Sequence, residues 1–395
     1  MHLARNTSVF LNLGHTFDHL LMLIFPTVVL AMSAELGGGY AELLPLSLGG
    51  FIAFGACSIP AGWLADRWSR FGMIAVFFFG IGATSILTGL ATGRTQVALG
   101  LTGIGVFAAI YHPVGIAMLV SNRDNVGRVL GVNGVFGNVG VAFSALIAGA
   151  LADSVGWRAA FIVPGAMAVI TGVAFVCLAP RGSAPVAPRR AAAAPGISRA
   201  DLARVFAVLT VATACGGVIF NATTISMPKV FDQKLAALTQ STFGIGALVC
   251  GVYLIAAMAQ LCVGWWLDRR SLKSVFVPVV ALQVPLLLLA GTTENSLMLL
   301  VAVAMMFFVF GQIPINDAMI ARYTAEAWRA RAYAVRYVVS FSASALAVPL
   351  VAGLYKSSGD FRALYFVLGT LALATFAAAV FFPSEKRLVP KPLAT

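Results

Sequence analysis

The chain has 395 residues, of which 60% are hydrophobic and only 10% charged. Ordinary soluble domains carry about 25% charged residues, so this composition excludes a water-facing globule and makes the bilayer the solvent for most side chains. The net charge of +12 would suit a nucleic-acid partner, but its distribution along the chain, described below, makes it an orientation signal.

Twelve apolar runs are each long enough to cross the hydrocarbon, which takes about 20 helical residues. They fall roughly at 7–31, 44–66, 71–93, 96–120, 127–152, 157–179, 203–230, 241–267, 272–292, 296–321, 330–356 and 361–383. The first run carries Asp18 and two histidines and lacks a signal-cleavage pattern, so it reads as a mature helix. The 39 glycines suit helices that approach closely in lipid. Residues 180–202 are rich in Pro, Ala and Arg with no apolar periodicity, which predicts an irregular linker between an N-terminal six-helix bundle, 1–179, and a C-terminal one, 203–395. The expected fold class is an all-α integral membrane protein with no separate soluble domain.

The two halves repeat each other. GWLADRWSR at 62–70 returns as GWWLDRR at 264–270, a shift of 202. Pro26 and Pro228 share that shift, Phe17-Asp18 and Phe220-Asn221 are offset by 203, as are Arg128 and Arg331, and Trp157-Arg158 meets Phe361-Arg362 at 204. A parallel duplication predicts two bundles related by an axis along the bilayer normal. Of the 26 Lys and Arg, nineteen fall on the side of the termini and linker, six on the opposite side, and Arg336 falls within a helix. The positive-inside rule then places both termini in the cytoplasm.

Ionisable groups at membrane depth cost at least about 2.5–3.5 kcal/mol each and face protein or water rather than lipid. Helix 1 carries Asn12, His15 and His19 on one stripe with Asp18 beside it. Asp18 sits about halfway along its run, and Asn221 is its counterpart in the second half, so a proton-coupling carboxyl would occur once per molecule. His15, His19 and His112 would support it. The alternative is that Asp18 and His15 or His19 form a structural hydrogen-bonded pair locking helix 1 to a neighbour. In helix 4, Pro113 frees a backbone carbonyl beside Tyr111 and His112 and makes a polar notch; Gln312 and Pro314 predict a similar proline-broken helix in the second half. Arg336 in helix 11 either snorkels, pairs with Asp317 or offers a positive charge to an anionic cargo. Asn133, Asn138, Asn221 and Asn316 add neutral hydrogen-bonding capacity, and with Tyr111, His112, Gln312 and Arg336 they are the expected substrate-binding set. Cys57, Cys177, Cys215, Cys250 and Cys262 are irregularly spaced and the histidines have no Glu or Cys partner at ligand spacing, so neither a metal nor a cofactor is expected. No GxxxxGK[ST] is present, which argues against ATP as the direct energy source.

The twelve runs, the 6+6 duplication, the central linker and GWLADRWSR between helices 2 and 3 resemble the major facilitator superfamily over essentially the whole chain. The second glycine usual in that loop is Ser69 here, and its basic pair is reduced to Arg70. NLGHTFDHLLMLIFP in helix 1, GIGVFAAIYHPVGIAM in helix 4 and Gly137-Asn138-Val139-Gly140 in helix 5 resemble the fosmidomycin-resistance type of drug exporter, with Phe143-Ser144 where antiporters commonly carry Gly-Pro. The resemblance implies a secondary active transporter in the bacterial inner membrane, a monomer without cofactor, coupling export of a small molecule to protons by alternating access. Proton-linked uptake of a small, anionic metabolite stays open beside it, and more remotely a membrane-embedded enzyme or a sensor. Gly62, Asp66, Arg67, Arg70, Arg128, Asp268 and Arg269 are expected to form the cytoplasmic gate.

Overall fold

The computed structural model describes residues 2–121, 126–179, 198–324 and 326–383. The helices, in chain order, are α1 (His2–Leu23), α2 (Phe25–Leu36), α3 (Tyr40–Leu43), α4 (Leu48–Ala56), α5 (Ser58–Arg67), α6 (Arg70–Gly89), α7 (Arg94–Ala108), α8 (Ile116–Val120), α9 (Val126–Ser154), α10 (Ala159–Leu178), α11 (Arg199–Lys234), α12 (Thr242–Leu267), α13 (Leu272–Thr292), α14 (Asn295–Tyr323), α15 (Glu326–Ser358) and α16 (Arg362–Phe381). No strand occurs among the described residues. Ten segments are long and apolar enough to span a bilayer, and Tyr40–Ala56 with Ser58–Arg67, bent by 42°, makes an eleventh. The 33-residue α15 stands where the remaining expected run lies. Most of the predicted linker, 180–197, lies outside the described residues, and its last four positions form the first turn of α11.

Proline decides where the first and fourth predicted helices break. Pro26 lacks the N–H that would bond to Met22, so α1 ends at Leu23 and α2 restarts at Phe25 with Pro26 in its first turn. Pro113 does the same between α7 and α8, where Tyr111–Gly115 form a wider π-type turn. The second half departs from this pattern. Pro228 sits inside an unbroken α11 and Pro314 inside an unbroken α14, so the proline-broken helix expected at Gln312 and Pro314 is a continuous one.

The repeat is legible in side-chain detail. Ser69 accepts from the Gly72 amide at the start of α6, and Ser271 accepts from the Ser274 amide at the start of α13, the same N-cap 202 residues on. Arg67 lies 4.4 Å from the Trp63 ring centre and Arg269 lies 4.2 Å from that of Trp265. Around the outside, Trp63, Leu99, Ile170, Leu300 and Phe366 stand exposed, as side chains facing acyl chains would.

Backbones touch where glycine allows it. A Cβ on Gly105 of α7 would lie 2.0 Å from the Gly50 carbonyl oxygen of α4, and one on Gly140 of α9 would lie 2.4 Å from that of Thr16 in α1. Between the chain halves, Gly246 of α12 meets the Ala145 carbonyl of α9 and Gly149 of α9 meets that of Thr242, at 2.2 and 2.3 Å from the absent Cβ atoms. The described cross-half bonds run from the middle of the molecule to the Glu35 end. Phe243 N donates to Asp153 Oδ2 at 2.7 Å, Gln260 Nε2 to Asn138 Oδ1 at 3.3 Å, and Tyr40 Oη to the Ile225 carbonyl at 3.4 Å. Tyr40, Tyr355 and Phe361 form an aromatic plug there, with Tyr40 and Tyr355 ring centres 5.2 Å apart. Toward the Asp66 end, Gly131 and Gly134 of α9 and Gly264 of α12 have nothing within 4 Å of where a Cβ would be. Among the described residues, the bonds and backbone approaches between the halves thus lie from the middle of the molecule to the Glu35 end.

Replacing Gly105 with valine puts a branched side chain into the Gly50 backbone. We expect a loss of about 1–3 kcal/mol or more, read as a lower melting midpoint in detergent. Gly131→Ala meets open space and is expected to leave that midpoint unchanged or slightly raised.

Candidate functional site

The helix 1 stripe and the helix 4 turn converge. His15 Nδ1 donates to the Asn133 carbonyl oxygen at 2.8 Å, which turns its Nε2 inward, 3.1 Å from His19 Nε2. Asp18 is wholly buried, and its Oδ2 lies 3.3 Å from His112 Nε2. The His112 ring meets the His15 and His19 rings edge-on at 5.3 and 5.5 Å, with Phe54 beside it at 5.9 Å. His15 and His112 are buried and His19 half-buried. The π-type turn is what aims His112 at α1, so the proline that costs a backbone bond creates the meeting point.

A second layer fixes the first. Asn133 Nδ2 donates to Asn12 Oδ1 at 3.0 Å and to Tyr111 Oη at 2.8 Å, and Tyr111 Oη donates to the Leu11 carbonyl at 2.7 Å. The Tyr111 ring stacks on His15 with centres 5.0 Å apart. Two glycines make room for it: a Cβ on Gly14 or Gly115 would lie 3.0 or 2.9 Å from Tyr111 Cε2. Gly137 does the same for the His15 ring, since a Cβ there would lie 2.6 Å from His15 Cε1. One residue on, Asn138 reaches across to Gln260 of α12. The cluster thus adjoins a crossing point between the chain halves.

The other expected substrate residues are dispersed. Gln312 is buried in the second half, where it donates to the Ala212 carbonyl at 3.1 Å and accepts from Gln283 at 3.0 Å. Asn221 donates back to Gly217 of its own helix at 2.8 Å. Asn316 is buried, and its Oδ1 has no hydrogen-bond partner among the described residues. Arg336 pairs with Asp317, joining α15 to α14. Gln260 and Gln283 escaped the sequence reading, although a polar group inside an apolar run is the same signal that marked Asn138.

The expected gate residues make no described bond across the halves. Asp66 pairs with Arg70 at 2.8 Å on its own side and is exposed, and Arg67 and Arg269 lie on their tryptophans. Gly62 faces Pro113, 3.3 Å from where its Cβ would be, which ties this motif to the helix 4 turn. Arg128 is exposed, and no described bond involves the Asp268 side chain. A cavity of about 500 Å³ opens between the halves at the Glu35 end, lined by Tyr40, Glu42, Lys229, Tyr355 and Lys356, away from the histidine cluster.

Comparison with known proteins adds three findings. The sequence profile of the Major Facilitator Superfamily matches residues 14–311 and 235–395. Over 168 residues the chain is 30% identical to the "Probable actinorhodin transporter" of Streptomyces coelicolor, and over 151 residues it is 27% identical to the "Probable L-galactonate transporter" of Escherichia coli. These matches cover 40% and 38% of the chain and only 28% and 33% of those relatives, so it is aligned with about a third or less of their length. The solved structure of a bacterial homologue of the human lysosomal transporter Spinster, in an inward-facing and occupied conformation, matches with a TM-score of 0.75 at 14% identity, covering 97% of this chain and 95% of that one.

Removing the Asn133 side chain (Asn133→Ala) takes a donor from both Asn12 and Tyr111 while leaving the backbone carbonyl that holds His15. We expect a loss of about 1–3 kcal/mol, measured as a lower melting midpoint of the purified chain.

Proposed function

Because the chain belongs to the major facilitator superfamily, we propose that it is a secondary active exporter of a small drug-like molecule or metabolite, working by alternating access. One observation carries this reading: a buried ionisable cluster of Asp18, His15, His19 and His112 beside a crossing point between the two chain halves. With the basic excess marking the cytoplasm, the Asp66 end is the inner one and the termini are cytoplasmic, in a bacterial inner membrane. The Tyr40–Tyr355–Phe361 plug is then the outer seal. In the alternate state the plug opens and the two repeats of the Asp66 motif close on each other, with Asp66, Arg67, Arg70 and Arg128 on one side and Asp268 and Arg269 on the other. The proton is the coupling cation of this reading, and the cluster of Asp18, His15, His19 and His112 is where it is held. The relative named "Probable actinorhodin transporter" supports transport of a small molecule.

A second reading rests on Arg336 and on the sugar-acid relative. The Arg336–Asp317 pair between α14 and α15 offers a fixed cation to an anionic cargo, and the direction would then be uptake.

Cells with and without the protein, compared over a panel of antibiotics and organic acids, test both. Export predicts lower accumulation of at least one compound, abolished by a protonophore and cut at least tenfold by Asp18→Asn while the purified variant stays monodisperse. Uptake predicts higher accumulation of an acid, lost in Arg336→Gln. Unchanged accumulation across the panel, or full gradient-driven export by Asp18→Asn, contradicts the proposal.

A further inference from the structure

The geometry points to a binding site for a first-row divalent transition metal of the Zn²⁺ class, formed by His15, His19 and His112, with Asp18 as the carboxylate partner of His112. The nitrogen atoms that the three histidines offer all lie within 4.8 Å of one another. One ligand pair already stands at the required separation. A tetrahedral zinc with Zn–N bonds near 2.0–2.1 Å has ligand atoms roughly 3.3 Å apart. His15 Nε2 and His19 Nε2 are 3.1 Å apart.

The surroundings match what such an ion needs. A metal-binding imidazole donates its other ring N–H to a carbonyl or carboxylate, which fixes the tautomer and aims the lone pair. His15 does this to the Asn133 carbonyl at 2.8 Å, and Asn133 is itself fixed through Tyr111 and Asn12. Asp18 is wholly buried and its Oδ2 stands 3.3 Å from His112 Nε2, so a carboxylate orients that imidazole as the Asn133 carbonyl orients His15. Three imidazole nitrogens favour zinc, cobalt, nickel or copper over magnesium or calcium, which prefer all-oxygen sites, and leave a fourth position for water.

All three ligands belong to the first half of the chain, so the ion needs no closure of one half on the other. The inference concerns the same side chains as the export proposal but does not rest on it, because metal binding is read on the purified chain without transport.

The test uses the full chain carrying no histidine tag, stripped with chelator in detergent and titrated with Co²⁺ alone and then Zn²⁺. The expected result is one Co²⁺ per chain with the intense visible bands of tetrahedral cobalt, displaced by equimolar Zn²⁺. His19→Ala, at the half-buried position, and His112→Ala each weaken Co²⁺ binding tenfold or more. His2→Ala, which removes the remaining histidine, leaves the affinity within twofold. Zn²⁺ raises the melting midpoint of the wild type and of His2→Ala but not of the other two variants, which separates loss of a ligand from loss of fold. Weak octahedral bands, no saturable binding, or wild-type affinity in His19→Ala or His112→Ala overturns the site. A chain that binds Co²⁺ in this way yet moves no compound would leave the metal site standing and sink the export proposal.

Discussion

A carboxylate cannot sit alone in hydrocarbon, and the contact between Asp18 and His112 is how this molecule meets that constraint. The side chain of Asp18 is wholly buried, and the nitrogen facing it comes from a helix broken by Pro113. Breaking one partner from a buried pair typically costs 3–5 kcal/mol, because the other is left uncompensated. Much of the first half can be read as support for this contact. The Gly140–Thr16 approach brings α9 against α1, Gly137 clears space for the His15 ring, and Gly14 and Gly115 clear space for Tyr111. A single larger side chain at any of these glycines would displace a group that touches the cluster.

The duplication that built the chain has kept the architecture and divided the chemistry. Both halves retain the serine cap and the arginine-on-tryptophan contact at the end of the repeated motif. Among the described residues, the buried histidines and the buried carboxylate all lie in the first half. The second half offers the neutral chain Gln283–Gln312–Ala212 and an Asn221 bonded to its own helix. The first half is also the one whose helices break at proline, while α11 and α14 run straight through theirs. Broken helices expose backbone polar groups, which suits the half that must handle a charge.

What the amino-acid sequence made legible follows from local physics. The apolar runs, the superfamily motif and the cost of Asp18 each depend on neighbours in sequence, and each was readable. Pro113 was recognised as a notch because a proline's lost hydrogen bond is a local event. What stayed hidden depends on register between helices. His15 and His19 are one turn apart and visibly share a face, but nothing local says that His112 arrives at the same depth. That requires the phase of the π-type turn and the α1–α9 approach together. The contrast between Pro26, which breaks its helix, and Pro228, which does not, was equally out of reach, because the two share a place in the repeat and differ in their packing. For the same reason the linear pattern gave no hint that Gln312 would turn inward to Gln283 while Asn138 would reach across to Gln260.

A double-mutant cycle on Asp18 and His112 tests the central contact most directly. Asp18→Asn, His112→Asn and the double variant would be compared by unfolding of the purified chain in one detergent. If the two side chains compensate each other in the buried core, each single change destabilises and the double change recovers part of the loss, with an interaction energy above about 1 kcal/mol. Additivity within about 0.5 kcal/mol would mean that the carboxylate is held by something other than this histidine, and the account built on their meeting would not stand.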